Sequence, residues 1–317
     1  MSSPTGPASG LPVRMPRPRQ PGRHRRPEPV AAPEGAPALV LAVPGTPSAA
    51  IRSLAEEVVS IARSELPGLE AVIGYLDGDD AEYPTLGTVL TRAETLRTER
   101  YELAMAAGRE VSAPEGPAAV VVPLLAGPDS ALMRRIRQAV MDSGNVAELT
   151  DVLGPHPLLA EALHVRLSEA GLARADRARL FTVATAADGI VLATVGGEEA
   201  VQAAGITGML LAARLAVPVM AAALDQEGSI TAIAEQLRGS GSVQLALAPY
   251  LIGPELADGL LDAAAKEAGC AAAEPLGAYP AIGKLASRQP RPAALRCVHE
   301  HAHTPRNGRK VPHHGGQ

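Results

Sequence analysis

The sequence contains very few aromatic residues: one Phe, five Tyr and no Trp among 317 residues. Exposed aromatic rings build the stacking platforms of single-stranded nucleic-acid binders and the cages that bind quaternary ammonium groups. The shortage therefore argues against both of these ligand classes. Because 46% of the chain is nevertheless hydrophobic, we expect a core of small aliphatic side chains with close contacts between helices and sheets.

Cysteines and long apolar runs are also scarce. Cys270 and Cys297 are the only two cysteines, too few for a disulfide framework or for a zinc site of thiolates alone. We therefore expect a cytoplasmic protein, since thiols stay reduced in that compartment. The longest apolar run, around Gly208–Leu224, spans about 17 residues and contains Arg214, so it is too short and too charged to cross a membrane.

Charge is distributed unevenly along the chain. Residues 1–37 carry a net charge of +4 and residues 288–317 a net charge of +5, whereas residues 38–287 hold 17 basic and 31 acidic residues. The acidic middle argues against a nucleic-acid partner, because phosphate contacts need clustered Arg and Lys. It suits the handling of cations, and it equally suits ordinary solubility. The two basic ends lack a hydrophobic period, and we predict that both are disordered tails.

The middle of the chain alternates between predicted strands and helices. Ala38–Val43 and Ala118–Leu125 are continuous apolar runs of strand length, typical of strands that are buried on both faces. Ile51–Leu66 has apolar residues at helical spacing, and Thr85–Ala107 is a second predicted helix. This alternation predicts an α/β fold with parallel sheets flanked by helices. Ligands of such sheets bind outside the carboxyl ends of the strands.

The same order of segments occurs twice, at offsets that fall from 151 to 126 to 123 residues. The similar pairs are ALVLAVPGT (38–46) with GIVLATVGG (189–197), VVVPLLAGPDSALMRRI (120–136) with LALAPYLIGPELADGLL (245–261), and LGPHPLLAEAL (153–163) with LGAYPAIGKLA (276–286). An internal repeat predicts two similar α/β lobes, residues 38–172 and 173–287, facing each other across a cleft. The alternative is a chance likeness between segments rich in Ala and Leu.

Three acidic residues follow predicted strands. Asp77 and Asp225 each come after a short apolar strand that ends in Leu. Across a cleft, such a pair suits a divalent cation or removal of a proton from a pyrrole nitrogen. The alternative is that Asp77 opens an Asp-rich turn and Asp225 begins a helix. Asp129 follows the third strand, either as a catalytic group or as the cap of the next helix.

Five of the eight histidines lie in the C-terminal tail. His299, His301 and His303 alternate along the chain, so an extended backbone directs them to one side, where they can bind a divalent metal. The alternative is a solvated end without a role. Within the predicted lobes, His156 lies at a helix start and His164 inside a helix, and we predict structural roles for both.

The segments LVLAVPGT, VVVPLLAGP and LGPHPLLAEALHVRL, with their second-half counterparts, resemble the sirohydrochlorin chelatases. These are the class II, ATP-independent chelatases, which insert Co²⁺, Fe²⁺ or Ni²⁺ into a tetrapyrrole. The resemblance covers residues 38–287. It implies two α/β lobes around a cleft, a role in siroheme or cobalamin biosynthesis, a divalent metal as substrate, and no further cofactor.

The family's metal-binding histidines are replaced in this sequence. The resemblance implies a His at the end of the first strand, where Pro44 stands, and a second His on or near Ala131. It also implies that Asp77 matches the family's carboxylate and that Thr46 lies in the first strand's turn. Proline and alanine can neither bind a metal nor accept a proton.

The catalytic candidates are therefore Asp77, Thr46 and Asp129, and the metal candidates are Asp77, Asp225 and the three alternating tail histidines. Three functions stay open. The first is a chelatase. The second is a catalytically inactive chelatase-like module that binds a tetrapyrrole, a metal or a protein partner. The third is a structural or regulatory paralogue without a ligand.

Overall fold

The computed structural model describes residues 31–33, 35–111, 113–173 and 187–289. Within these ranges the strands form two four-stranded sheets, and every pair of neighbouring strands is parallel. Helices flank both sheets. The predicted fold class is therefore confirmed, while nearly all of the two predicted tails lies outside the described residues.

Each half of the chain contributes one sheet and four helices to the described structure. The first half consists of β1 (Ala38–Val43), α1 (Ala49–Glu65), β2 (Ala71–Tyr75), α2 (Leu86–Ala106), β3 (Ala119–Pro123), α3 (Ser130–Asp142), β4 (Ala147–Leu149) and α4 (Pro157–Glu169). The second half consists of β5 (Gly189–Thr194), α5 (Gly197–Leu215), β6 (Val219–Ala223), α6 (Ser229–Gly239), β7 (Leu245–Pro249), α7 (Leu260–Glu267), β8 (Ala271–Ala272) and α8 (Pro280–Arg288).

The two sheets share one topology and one register. Their strand orders are β2-β1-β3-β4 and β6-β5-β7-β8. Ala42 of β1 pairs with Pro123 of β3, and Ala193 of β5 pairs with Pro249 of β7 in the same way. The helix after β2 has 21 residues, whereas the helix after β6 has 11. The repeat is thus present in the fold, and the first half carries the longer helix between its second and third strands.

The last helix of each half packs against the other half. Helix α4 contacts α5 and β7, whereas α8 contacts α1. Between α4 and α5, the Nε atom of Arg214 donates a hydrogen bond of 2.8 Å to Nδ1 of the buried His164. Gly283 of α8 lets this helix pack closely against α1, because a Cβ at this position would lie 2.5 Å from Cγ2 of Ile61. The boundary at residue 172 separates the sheets, but not the helices that cover them.

One buried apolar cluster extends through both halves, from Leu41 of β1 and Leu163 of α4 to Leu192 of β5 and Ile282 of α8. Two further clusters lie beneath α2 and α3 and beneath α6 and α7, on the other faces of the sheets. Aliphatic side chains dominate all three, as the aromatic shortage predicts. No helix in the described ranges is long and apolar enough to cross a membrane.

Candidate functional site

The carboxyl ends of the first strand in each half lie against a loop of the other half. A Cβ atom on Gly45, after β1, would overlap the carbonyl oxygen of Pro254. A Cβ on Gly196, after β5, would lie 2.6 Å from the carbonyl oxygen of Pro128. Both glycines have positive φ angles, +81° and +109°, which glycine adopts without the steric cost of a side chain. These contacts form what we call the junction, made by residues 44–46, 127–129, 195–197 and 253–255.

Asp129 lies in the junction and caps α3. Its Oδ1 atom accepts hydrogen bonds from the backbone N–H groups of Ala131 and Leu132, both at 2.9 Å. The residue adopts extended backbone angles, as a helix N-cap usually does. The capping role is confirmed. One oxygen of the half-buried side chain makes both bonds, so its second oxygen takes no part in the cap.

Glu255 occupies the position in the second half that is equivalent to Asp129, since each residue follows a Gly-Pro pair. Its carboxylate accepts hydrogen bonds from the backbone N–H groups of Ile252, at 2.7 Å, and Gly253, at 2.9 Å. Burial raises the pKa of Glu255, backbone hydrogen bonds oppose the rise, and the negative charge of Asp129 adds to it. The two carboxylates therefore interact electrostatically between the halves.

Sequence reasoning missed Glu255, although a signal for it was present. The repeat aligned the segment that contains Gly127 and Pro128 with the segment that contains Gly253 and Pro254. The next residue in each segment is acidic, so the same alignment pairs Asp129 with Glu255. Extending the aligned segments by one residue therefore predicts a pair of carboxylates at equivalent positions.

Asp77 and Asp225 are each bound within their own half. Asp77 is exposed and forms an ion pair with Arg135 of α3. Asp225 is exposed too, and its Oδ2 accepts a hydrogen bond of 3.0 Å from the backbone N–H of Gly196. The contact to Gly196 places Asp225 beside the junction, whereas Asp77 belongs to the loop after β2.

The other predicted positions surround β1 and α3. Pro44 is buried directly after β1, and Thr46 is exposed in the loop before α1. Ser48 caps α1, since its Oγ accepts a hydrogen bond from the backbone N–H of Ile51 at 3.3 Å. Ala131 is exposed in the first turn of α3. Pro44 and Thr46 therefore lie in the junction, and Ala131 lies beside it.

Both described histidines have structural roles, as predicted. The Nδ1 atom of His156 accepts a hydrogen bond of 3.0 Å from the backbone N–H of Leu158 and caps α4. Burial lowers the pKa of His156, and the positive charge of Arg288 lowers it further. His164 accepts the hydrogen bond from Arg214 described above.

The alternating tail histidines, His299, His301 and His303, lie outside the described residues. Among the residues that are described, no three His, Cys, Asp or Glu side chains are grouped so that they could hold a metal ion. The pair of Asp129 and Glu255 therefore offers at most part of a coordination shell.

A second polar cluster lies at the carboxyl end of β2 and is called the Tyr75 cluster, made of Arg52, Tyr75, Glu82 and Tyr83. The rings of Tyr75 and Tyr83 meet edge to face, with centroids 5.2 Å apart. The Cζ atom of Arg52, from α1, lies 4.5 Å from the centroid of the Tyr83 ring. The guanidinium of Arg52 also forms an ion pair with Glu82. A cation over an aromatic face and beside a carboxylate is held from two sides.

A scan against protein-family models and a search of the curated proteins both return no match. Among solved structures, the chain is similar to a periplasmic ribose ABC transporter from Conexibacter woesei, with 13% sequence identity and a TM-score of 0.31. The alignment covers 76% of this chain and 68% of that one. A likeness this distant carries no functional argument.

Proposed function

We propose that this protein is a sirohydrochlorin-chelatase-like protein that inserts or handles a divalent metal, Co²⁺, Fe²⁺ or Ni²⁺, for a tetrapyrrole. One observation carries the proposal. Asp129 and Glu255 occupy equivalent positions in the junction, where the carboxyl ends of the two parallel sheets meet. In α/β proteins the carboxyl ends of the strands are the usual place for a ligand.

The chemistry of the two carboxylates suits metal insertion. Carboxylate oxygens bind divalent cations, and the second Oδ atom of Asp129 is outside the cap of α3. When a divalent metal enters a tetrapyrrole, two pyrrole N–H protons must leave. Burial and the charge of Asp129 raise the pKa of Glu255, and a carboxylate with a raised pKa is a better proton acceptor. Asp129 then contacts the metal, Glu255 accepts one of the two protons, and the other proton leaves to solvent.

A second candidate function is a chelatase-like module that binds the tetrapyrrole or the metal without turnover. The observation that favours it is the loss of imidazoles. Pro44 and Ala131 stand where the resemblance implies histidines. The two histidines of the described ranges, His156 and His164, both have an Nδ1 engaged in structural hydrogen bonds. Under this function the carboxylates bind the ligand but complete no reaction.

Metal insertion is tested with the full chain, sirohydrochlorin and Co²⁺ or Fe²⁺, followed by absorbance. We expect Asp129→Asn and Glu255→Gln each to lower the insertion rate at least tenfold, because each removes a negative charge and a proton acceptor. Asparagine is also a good N-cap, so α3 remains capped in the first variant. The control is Asp262→Asn on the exposed face of α7, for which we expect an unchanged rate.

The outcomes separate the two functions. A wild-type rate equal to that of metal and substrate alone would contradict insertion. If sirohydrochlorin then still changes its spectrum on titration with the protein, the binding module is supported. If neither insertion nor a spectral change occurs, both functions are wrong.

Delivery of metal by the C-terminal tail is tested separately. We expect a chain that ends at Ser287 to bind Co²⁺ about tenfold more weakly than the full chain, because all five tail histidines, including the three alternating ones, are removed. The matched comparison is a full chain with His299, His301 and His303 changed to Gln. Calorimetric titration measures both affinities, and affinities equal to that of the unchanged chain would contradict a role for the tail.

A further inference from the structure

Tyr75 carries a buried hydroxyl without an acceptor. The residue is 2% exposed, and its hydroxyl oxygen has no hydrogen-bond partner by geometry among the residues that the structure describes. Burial raises the pKa of Tyr75, and the positive charge of Arg52 opposes the rise. A guanidinium has donors only, so Arg52 cannot accept the proton of the hydroxyl. The Tyr75 cluster thus contains two donor groups close together, Arg52 and the Tyr75 hydroxyl.

Glu82 is the carboxylate that now neutralises Arg52, and it is held weakly. Its side chain is 61% exposed, and an ion pair this exposed contributes little to stability. The shape of the loop does not depend on it. Asp79 accepts hydrogen bonds from three backbone N–H groups of the loop, and Asp80 accepts one from the backbone N–H of Thr85. Glu82 can therefore swing into solvent while the loop keeps its conformation.

We propose that Arg52 and the Tyr75 hydroxyl form a carboxylate-binding site, occupied by Glu82 in the free protein, that receives an acidic side chain of the tetrapyrrole. The identity of the ligand rests on the proposed function. An entering carboxylate has two oxygens, so it accepts from the guanidinium through one and supplies the missing acceptor for Tyr75 through the other. Glu82 then leaves to solvent.

The place and the charge of the site fit this ligand. Tyr75 ends β2, on the same carboxyl edge of the first sheet as the junction. Residues 38–287 are strongly acidic, so a polycarboxylate approaching this surface is repelled except where an arginine is exposed. Arg52 is about one-third exposed and lies on the first turn of α1. The Tyr83 ring lies against the guanidinium, with its centroid 4.5 Å from Cζ of Arg52.

The experiment measures binding of metal-free uroporphyrin, which has eight carboxylates, to the full chain by porphyrin fluorescence. We expect Arg52→Gln to weaken binding at least fivefold and Tyr75→Phe to weaken it about threefold. We expect Glu82→Gln to tighten binding about threefold, because an internal competitor for Arg52 is removed. General structural damage cannot tighten binding, so this variant separates the site from misfolding.

The matched control is the ion pair of Glu70 and Arg100, whose Oε2 and Nη1 atoms are 2.5 Å apart. This pair lies at the opposite edge of the sheet, where β2 begins. We expect Glu70→Gln and Arg100→Gln to leave the affinity unchanged. A porphyrin with two carboxylates should bind more weakly than uroporphyrin to the wild type and lose less affinity in Arg52→Gln.

Failure of this site and failure of the proposed function give different results. If uroporphyrin binds but Arg52→Gln and Glu82→Gln leave its affinity unchanged, the carboxylate site is wrong and the tetrapyrrole ligand stands. If uroporphyrin does not bind to the wild type at all, the tetrapyrrole ligand is wrong, and the site proposed for it falls as well.

Discussion

At the scale of single residues, Tyr250 shows how a chain poor in aromatics uses one. It follows β7, is fully buried, and its hydroxyl oxygen accepts a hydrogen bond of 3.2 Å from Oγ1 of Thr207 in α5. Its ring lies against Gly127 of the first half, where a Cβ would be 3.3 Å from its Cε1 atom. Burial raises the pKa of Tyr250 to about 12. A single ring thus joins the core of one half to a loop of the other.

The raised pKa of Tyr250 predicts a specific loss of stability at high pH. The unfolded chain releases this proton above pH of about 10, whereas the folded chain keeps it until about 12, so stability falls as pH rises between these values. At pH 11 this group alone costs about 1.4 kcal/mol. Urea unfolding at pH 9 and at pH 11 measures how much free energy of unfolding each protein loses between these pH values. This loss should be smaller in Tyr250→Phe than in the wild type, by about the same amount.

The control for Tyr250 is Tyr101→Phe, on the part-exposed surface of α2. It should lose as much stability between pH 9 and pH 11 as the wild type does. Tyr250→Phe itself should be about 1 kcal/mol less stable at pH 7, since Thr207 loses a buried partner. Equal pH-dependent losses in Tyr250→Phe and the wild type would contradict the assigned burial.

At the scale of elements, the exchange of the last helices decides which parts stabilise each other. Helix α8 belongs to the second half by sequence, but it packs on α1 of the first. Lys284 of α8 and Glu65 of α1 form an ion pair at 3.5 Å. Arg166 of α4 donates a hydrogen bond of 2.9 Å to the carbonyl of Leu276, which belongs to the other half. Each half is therefore incomplete without the other.

Two glycines in the middle of helices test this exchange. A Cβ on Gly283 of α8 would lie 2.5 Å from Ile61 and 2.9 Å from the carbonyl oxygen of Val58. We expect Gly283→Ala to destabilise the protein by about 2 kcal/mol and to speed hydrogen exchange in α1. Gly205→Ala in α5, where nothing lies within 4 Å, should instead stabilise by about 0.5–1 kcal/mol. If Gly283→Ala and Gly205→Ala change the free energy of unfolding in urea by the same amount, α8 does not constrain α1.

At the scale of the whole molecule, the junction determines how closely the halves approach. The contacts of Gly45 with Pro254 and of Gly196 with Pro128 involve backbone atoms, so side-chain rotation cannot relieve a clash. A larger residue at either glycine must move the halves apart. The proposed site at Asp129 and Glu255 lies in this junction, so their separation depends on the same contacts.

Two adjacent glycines separate the effect of this contact from the effect of backbone strain. Gly196 and Gly197 both have positive φ, +109° and +75°, which costs roughly 1–2 kcal/mol for alanine. A Cβ on Gly196 meets Pro128, whereas a Cβ on Gly197 meets nothing within 4 Å. We expect Gly196→Ala to lose about 2 kcal/mol more than Gly197→Ala and to increase the radius of gyration in X-ray scattering. Equal losses and unchanged radii would mean that the junction does not hold the halves together.

Much of the fold was predictable because the signals are local. Thr85–Ala107 was predicted as a helix, and α2 runs from Leu86 with Thr85 as its cap. Ala38–Val43 was predicted as a buried strand and forms β1. The exchange of α4 and α8 was not predicted, because the apolar face of a helix shows that it packs on a sheet but not on which one.

The candidate site likewise has a part that could be predicted from the sequence and a part that could not. Asp129 was predicted from its place after a strand, and its capping bond is local. The other contacts join residues that are far apart in sequence. They are the electrostatic effect of Asp129 on Glu255 and the ion pairs of Arg52 with Glu82 and of Asp77 with Arg135. No spacing or periodicity encodes such contacts, because they depend on how the loops after different strands converge.

The sequence by itself determined the α/β class, the repeat and the aliphatic core, since period, composition and similarity between segments are properties of the chain. Only the tertiary structure decided that the last helices are exchanged, that Gly45 and Gly196 touch the opposite half, and that the negative charge of Asp129 adds to the raised pKa of Glu255. The physical reason is that a parallel sheet brings strand ends together from distant segments. The chemistry at those ends arises only when both halves are folded against each other.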